Sequence, residues 1–290
     1  MQATAPAIPK FRLVPWGLML GFLAILIAGY WPVLVRLVGD WLHDDDMGHG
    51  FFVPLVSLYL LWTKRAELEA VEIKPNAWGY VLLVWGGLQL LAATLGAELT
   101  LARGAFVISL VGAVLAVFGW KMLKAMAFPL FLLVFMIPLP AIIYNKITFP
   151  LQLLASSVAE TILSAFGIPV FRDGNILELP SQRLSVVEAC SGIRSLLSLT
   201  FLSLVYGEMF DRRPWMKWAL LVGIVPIAIA ANAGRVTITG FISEYDPKLT
   251  QGVYHSMEGW VLFSVAVVLL MLLHRLLSLL PWGRANVQPE

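Results

Sequence analysis

The 290-residue chain is 59% hydrophobic and only 13% charged, with a mean hydropathy of +0.83. A soluble domain carries about 25% charged residues, so this composition is that of an integral membrane protein. A net charge of +2 gives no reason to expect nucleic acid as a partner, and one cysteine, Cys190, excludes an intrachain disulfide and any zinc site built on several cysteines. No cofactor is expected.

In chain order, Lys10 and Arg12 precede a first apolar span, Val14 to about Val38, which places the N-terminus in the cytoplasm. That run is long enough to span and lacks a small-residue cleavage pattern, so it reads as a retained span rather than a cleaved leader. Residues 39–50, with Asp40, His43, Asp44, Asp45, Asp46 and His49, then lie outside. A short second span, about Phe51 to Trp62, ends at Lys64-Arg65, and a third covers Ala77 to Leu95. A fourth, Gly104 to Trp120, follows an outer loop holding Glu98 and Arg103, and returns inside at Lys121 and Lys124. The fifth, Met126 to Ile143, ends in Ile137-Pro138-Leu139-Pro140, which should break or kink it.

From Asn145 to Phe166 the pattern changes. Ile147, Leu151, Leu154, Val158 and Ile162 recur at helical spacing, with Gln152, Ser156, Glu160 and Ser164 on the other side. This predicts an amphipathic helix lying in the outer interface. Asp173-Gly174 between short β-prone runs predicts a hairpin within Pro169 to Pro180, and residues 184–187 form a strand-like lead into Cys190. The sixth span, Ser191 to Phe210, exits at Asp211-Arg212-Arg213; the seventh, Trp215 to about Phe241, contains Pro226 and Asn232-Ala-Gly-Arg235. The eighth, about Gly259 to Leu280, follows His255 and ends inside at Arg275 and Arg284. The fold class expected is an all-α integral membrane protein: about eight transmembrane helices in one polytopic domain, 1–290, with an outer-face amphipathic helix and a short β-hairpin inserted at 144–189.

Val187-Glu188-Ala-Cys190-Ser-Gly-Ile-Arg194-Ser stands at the head of the sixth span. Four residues is about one helical turn, so thiol and guanidinium would share a face roughly 6 Å apart along the axis. An arginine inside an apolar span costs about 3 kcal/mol and usually faces a functional cavity. A guanidinium and a helix N-terminus both favour thiolate over thiol, which makes a nucleophile of Cys190. In this topology Cys190, Arg194, Arg235 and His255 come from three spans and share the outer boundary. They supply a nucleophile, cations for a developing oxyanion and a proton-transfer group. Singly, each also has a plain reading: a buried thiol, a headgroup anchor, an interfacial histidine. Two other functions fit parts of the pattern. A transporter could bind an anionic solute with its intramembrane arginines, but it would tolerate Cys190→Ala. A metal site built from His43, Asp44, Asp45, Asp46 and His49 competes with a solvated acidic turn, and chelator sensitivity separates the two.

Glu188-Ala-Cys190-Ser-Gly-Ile-Arg194-Ser, Asn232-Ala-Gly-Arg235, and His255 with Gly259 resemble, in order, the signature blocks of the exosortase/archaeosortase family. Gly48-His49-Gly50-Phe-Phe-Val-Pro54-Leu is similar to a fourth block. The resemblance implies a membrane cysteine transpeptidase acting on exported proteins that end in a sorting signal. That signal is a Pro-Glu-Pro-like motif, a hydrophobic helix and a basic tail. It further implies a thioester on Cys190, with Arg235 and His255 completing the catalytic set. Arg194, Glu188, Asn232 and His49 match motif positions as supporting or substrate-binding residues. The archaeal branch has arginine at the third catalytic position, so His255 looks bacterial. The implied setting is a bacterial inner membrane, with both termini cytoplasmic and the site facing the periplasm, often beside exopolysaccharide and biofilm loci. Exported substrates and membrane lipids are the partners implied.

Overall fold

Ile137-Pro138-Leu139-Pro140 divides the chain. Each proline removes a backbone donor and pushes the residue before it out of the helical region. Ile137 is extended (φ −95°, ψ 123°), and the next helix begins only after Pro140. The structure, a computed structural model, describes residues 13–186, 193–211, 213–246 and 253–279. It separates into two compact units at this break, Met1–Pro138 and Leu139–Glu290.

The first unit contains α1 (Leu13–His43), a 3-10 turn (Asp45–Phe51), α2 (Phe52–Thr63), α3 (Arg65–Ala70), α4 (Trp78–Leu95), α5 (Leu99–Phe118), α6 (Trp120–Ala125), α7 (Ala127–Leu132) and a second 3-10 turn (Leu133–Met136). Its organising contact is a seam of small residues. Gly79, Gly86 and Ala93, spaced by seven, are the buried residues of α4. A Cβ on Gly79 would lie 2.2 Å from the backbone nitrogen of Ala116 on α5, and one on Gly86 would lie 2.1 Å from Ser109 Oγ. Between membrane helices there is little hydrophobic drive, so close backbone approach over small residues supplies the packing. Polar groups then tie in α1: the Tyr30 hydroxyl donates to the Gly86 carbonyl at 3.2 Å and lies 2.8 Å from Ser109 Oγ. Arg103 of α5 is only 3% exposed and pairs with Asp40 of α1.

The second unit contains α8 (Ala141–Ala165), strands β1 (Phe171–Asp173), β2 (Ile176–Glu178) and β3 (Arg183–Ser185), then α9 (Ile193–Phe210), α10 (Pro214–Tyr245) and α11 (Val253–Leu279). The strands form an antiparallel sheet in the order β1-β2-β3, with Asp173 opposite Ile176 and Leu177 opposite Leu184. Gly174 in the first turn has φ +62°, a conformation that favours glycine. The predicted hairpin is thus two strands of a three-stranded sheet; the third overlaps the expected strand-like lead at 184 and 185 only, since Val186 is already helical and Val187 lies outside the described residues. Helices α9, α10 and α11 pack through Leu199, Met216, Leu220, Ile224, Ala228, Ala266 and Leu270.

Among the described residues six helices are long and apolar enough to cross a membrane: Gly17–His43, Trp78–Leu95, Leu99–Phe118, Ala141–Ala165, Pro214–Tyr245 and Trp260–Leu279. Three shorter apolar helices are Met47–Thr63, Ala127–Met136 and Leu196–Phe210. The protein is therefore a multi-pass, all-α membrane protein with a small sheet. Three departures from the expected spans have physical causes. The expected fifth span is not one helix but α7 and a 3-10 turn, which stop at Met136 because Pro138 and Pro140 cannot continue the ladder. The amphipathic helix is 25 residues long, long and apolar enough by itself to cross. It turns Gln152, Ala155, Ser156, Ala159 and Leu163 inward, while Ile147 and Leu154 stay exposed. Its polar face packs against protein because the sheet gives it partners: Asn175 Nδ2 donates to Gln152 Oε1 at 3.0 Å, and Ser156 Oγ donates to the Gly174 carbonyl at 3.0 Å. The seventh helix continues past Phe241 to Tyr245, because the sheet also packs along it.

Candidate active site

Arg235 lies on α10 and is half-buried. Its neighbours Ala233 and Val236 are buried in one cluster with Ala155, Ala159 and Leu163 of α8 and with Leu177, Leu179, Leu184 and Val186 of the sheet segment. Leu184 of β3 and Val186, a helical residue just after the strand, both reach this core. The chain leading to the cysteine is thereby seated against the turn that carries Arg235. Cys190 follows Val186 by four positions, about 14 Å at full stretch. The start of β3 is latched to the same helix, since the Ser181 backbone N–H and hydroxyl both donate to Glu244 Oε1, at 3.0 and 2.6 Å, while β1 is tied to α8 by Arg172 Nε donating to Glu160 Oε2 at 2.6 Å.

The first turn of α9 meets α10 at the next level. Leu196, two residues beyond Arg194, lines a cavity of about 30 Å³ with Leu151 of α8 and with Val225, Ala228, Ile229 and Asn232 of α10. Asn232 is 4% exposed, and among the described residues neither its Oδ1 nor its Nδ2 has a hydrogen-bond partner. An unpaired buried amide costs about 1–3 kcal/mol, so nothing in the packing explains an asparagine here. Asn232 and Arg235 are three apart and share a helix face.

His255 lies in the first turn of α11. Helices α10 and α11 run antiparallel and come close where a Cβ on Gly223 would sit 2.3 Å from Leu273 Cδ2. Counting about 1.5 Å per residue from that contact, the turn of His255 is roughly 9 Å beyond the level of Arg235, toward the sheet. The structure thus places the first turn of α9 and the turns of Asn232 and Arg235 beside the sheet segment, and holds the turn of His255 further out. Glu188 and Cys190 lie outside the described residues, and Arg194 and His255 are located through their helices.

His49 belongs to the first unit, in the 3-10 turn after α1. Its neighbour Gly50 is fixed sterically, since a Cβ there would lie 2.5 Å from the indole of Trp41. The same indole donates from Nε1 to the Met136 carbonyl at 3.0 Å.

Residue types alone did not point to the positioning pairs Gln152–Asn175 and Ser181–Glu244; the signal for the first was the polar stripe on α8. A second polar cluster, at the opposite end of α9, was signalled by a histidine inside the last apolar run. Tyr206 Oη lies 2.8 Å from His274 Nδ1, and His274 Nε2 lies 3.0 Å from Asp211 Oδ2. Arg213 Nη2 donates to the same carboxylate at 2.6 Å. These bonds from Arg213 first, and then from His274, hold the Asp211 carboxyl far below the usual carboxylate range against the opposing effect of its burial.

No curated protein and no solved structure shows a significant match to the chain. A family model described as transmembrane exosortase matches residues 41–272. The match takes in the 3-10 turn of His49, the sheet with its supporting helix, and the Cys190, Arg235 and His255 blocks. Covering well over half of the sequence in one register, it establishes that this chain belongs to the transmembrane exosortase family.

Proposed function

We propose that the protein is a cysteine transpeptidase that cleaves the C-terminal sorting signal of exported proteins through a thioester on Cys190. Membership of the exosortase family supports a membrane protein-sorting role. The single observation that carries the chemistry is that Val186, four positions before Cys190, is buried in the same cluster as Ala233 and Val236, which flank Arg235. The segment that precedes the nucleophile thus shares a buried core with the helical turn that carries the cation.

The reaction balances as follows. The Cys190 thiolate attacks the scissile carbonyl, and the carbonyl oxygen takes the negative charge. Arg235 and Asn232 stabilise that oxyanion, the guanidinium by charge-assisted hydrogen bonds and the amide through its N–H donors. As the tetrahedral species collapses, the C–N bond breaks and protonated His255 gives its proton to the leaving amine. The acyl group stays on sulfur as a thioester, and the released helix keeps the new amine. An acceptor amine or hydroxyl, or water, then attacks the thioester while neutral His255 takes its proton, which restores the thiolate. Arg194, one turn beyond Cys190, stabilises the thiolate before substrate arrives. Glu188 and His49 support the site or the substrate.

In this reading the substrate has a Pro-Glu-Pro-like motif, a hydrophobic helix and a basic tail. The enzyme lies in a bacterial inner membrane with both termini cytoplasmic and the sheet on the periplasmic side. The function belongs with exopolysaccharide and biofilm export. Co-expression with an exported precursor carrying such a tail tests it. Wild-type cells should accumulate the shortened product, and intact-mass analysis should find the acyl fragment on Cys190. Normal processing by Cys190→Ala would exclude the thiol mechanism.

A further inference from the structure

We propose that the outer edge of β3 binds an extended segment of the substrate polypeptide as a fourth, parallel strand, delivering the residues that follow it to Cys190. The inference rests on the transpeptidase reading above and adds where and how the substrate backbone is held.

The register fixes which backbone groups are available. The Leu179 N–H donates to the Gln182 carbonyl and the Val186 N–H donates to the Asn175 carbonyl, each at 3.0 Å. These pairs flank Leu177 opposite Leu184. In an antiparallel ladder the bonded positions alternate, so residues 182, 184 and 186 spend their backbone groups on β2. Arg183 and Ser185 therefore turn their N–H and C=O groups away from it. The strand order is β1-β2-β3, so that direction is a sheet edge, and among the described residues nothing bonds these four groups. Strand edges are usually blunted by proline, a bulge or cover, because an open edge recruits another chain. β3 has no proline and keeps unbroken register with β2.

The edge is also rigid. Leu184 and Val186 are buried beneath it, and the Ser181 latch to Glu244 holds the turn at its start. A docking strand gains most from a partner that does not have to be ordered on binding. Ser185 of β3 precedes Cys190 by five positions in the sequence, about 17 Å at full stretch, so a chain lying along this edge is held within reach of the nucleophile. Direction follows from connectivity. In sequence β3 precedes Cys190 and then the membrane helix α9, and a substrate whose hydrophobic helix follows its cleavage site has the same order. The pairing is therefore parallel. One substrate residue donates its N–H to the Arg183 carbonyl and accepts from the Ser185 N–H, while its neighbours on either side face away from the edge.

The test uses a precursor that the wild-type enzyme cleaves, whose cleavage and whose loss in Cys190→Ser report on the site itself. Short synthetic peptides matching the sequence upstream of the cleavage point, each N-methylated at one backbone amide, compete with that precursor. Methylation at one position should weaken inhibition about tenfold while the adjacent positions have no effect, as expected for one lost hydrogen bond. On the enzyme side, Ser185→Pro removes the outward N–H at a position where a sheet edge tolerates proline. It should raise KM about tenfold and leave iodoacetamide labelling of Cys190 in the substrate-free enzyme unchanged. Uniform tolerance of N-methylation, an unchanged KM in Ser185→Pro, or photo-crosslinks from position 183 to a second copy of this chain instead of the precursor would each overturn the proposal.

Discussion

Asn232→Leu separates fold from chemistry at one residue. Asn232 is 4% exposed with both amide atoms unpaired, beside a cavity of about 30 Å³ lined otherwise by aliphatic and small side chains. Leucine has a similar volume and no polar atoms, and Leu151, Leu196 and Ile229 already line that space. Removing the unpaired amide should stabilise the protein by about 1–3 kcal/mol. In a chain of this size that raises the thermal midpoint by roughly 2–4 °C per kcal/mol. If the amide instead donates to charge that develops only in the transition state, its loss slows turnover about 10²–10³-fold. Thermal unfolding in detergent, paired with precursor processing by the same preparation, gives both numbers. A variant that is more stable and nearly inactive fits the reasoning. A midpoint lowered by several degrees would show that the amide holds the helices together, and wild-type processing would remove Asn232 from the reaction.

Three further outcomes follow from the packing. Asp40→Asn leaves the 3% exposed Arg103 without its counter-charge and should cost about 3–5 kcal/mol, whereas Asp40→Leu combined with Arg103→Met should recover most of that loss; unfolding in detergent compares them. Gly79→Leu sets a side chain against the α5 backbone, where even a Cβ would lie 2.2 Å from Ala116 N, and should abolish accumulation of folded protein in the membrane fraction, while Gly87→Leu, with nothing within 4 Å, should be tolerated. Asp211 has a folded-state pKa below its unfolded value, so its stabilising contribution is complete above about pH 4 and fades as pH falls toward the folded value. Asp211→Asn should therefore lower the midpoint at pH 7 and differ progressively less from wild type on acidification below pH 4; an undiminished difference in acid would refute the linkage.

Much of the fold is legible along the chain because a bilayer imposes it. Apolar length locates most of the long helices. The cysteine, arginine and histidine blocks can be read as one constellation for a similar reason, since ionisable residues beside apolar spans need a purpose. What escapes the sequence depends on partners distant in the chain. Strands of three residues are too short for periodicity to show, and β3 exists because Leu184 and Val186 find the faces of α8 and α10. The stripe of Gln152 and Ser156 looks like a water-facing side until the hairpin supplies Asn175 and the Gly174 carbonyl. The level of His255 is equally hidden, because it follows from where α11 crosses Gly223 and not from the residues around it.

The sheet also answers a problem peculiar to this kind of site. A helix satisfies its backbone internally and so suits a bilayer, but it has no backbone groups left to hold an extended peptide. Side chains alone could grip such a peptide, at the cost of ordering several long rotamers. Three short strands supply backbone donors and acceptors that are already fixed, provided something else fixes the strands, since a hairpin this small is not stable alone. Here α8 and α10 do so, through the cluster around Ala159 and Val236, through Gln152 and Ser156 on the turn, and through Glu244 on Ser181. Because α10 also carries Asn232 and Arg235, the helix that braces the strand is the one that presents the polar groups. In the proposed mechanism, displacing the sheet relative to α10 therefore disturbs both the docking of substrate and the delivery of the thiolate to the cation. Weakening the brace with Glu244→Gln should accordingly lower turnover more than it lowers stability.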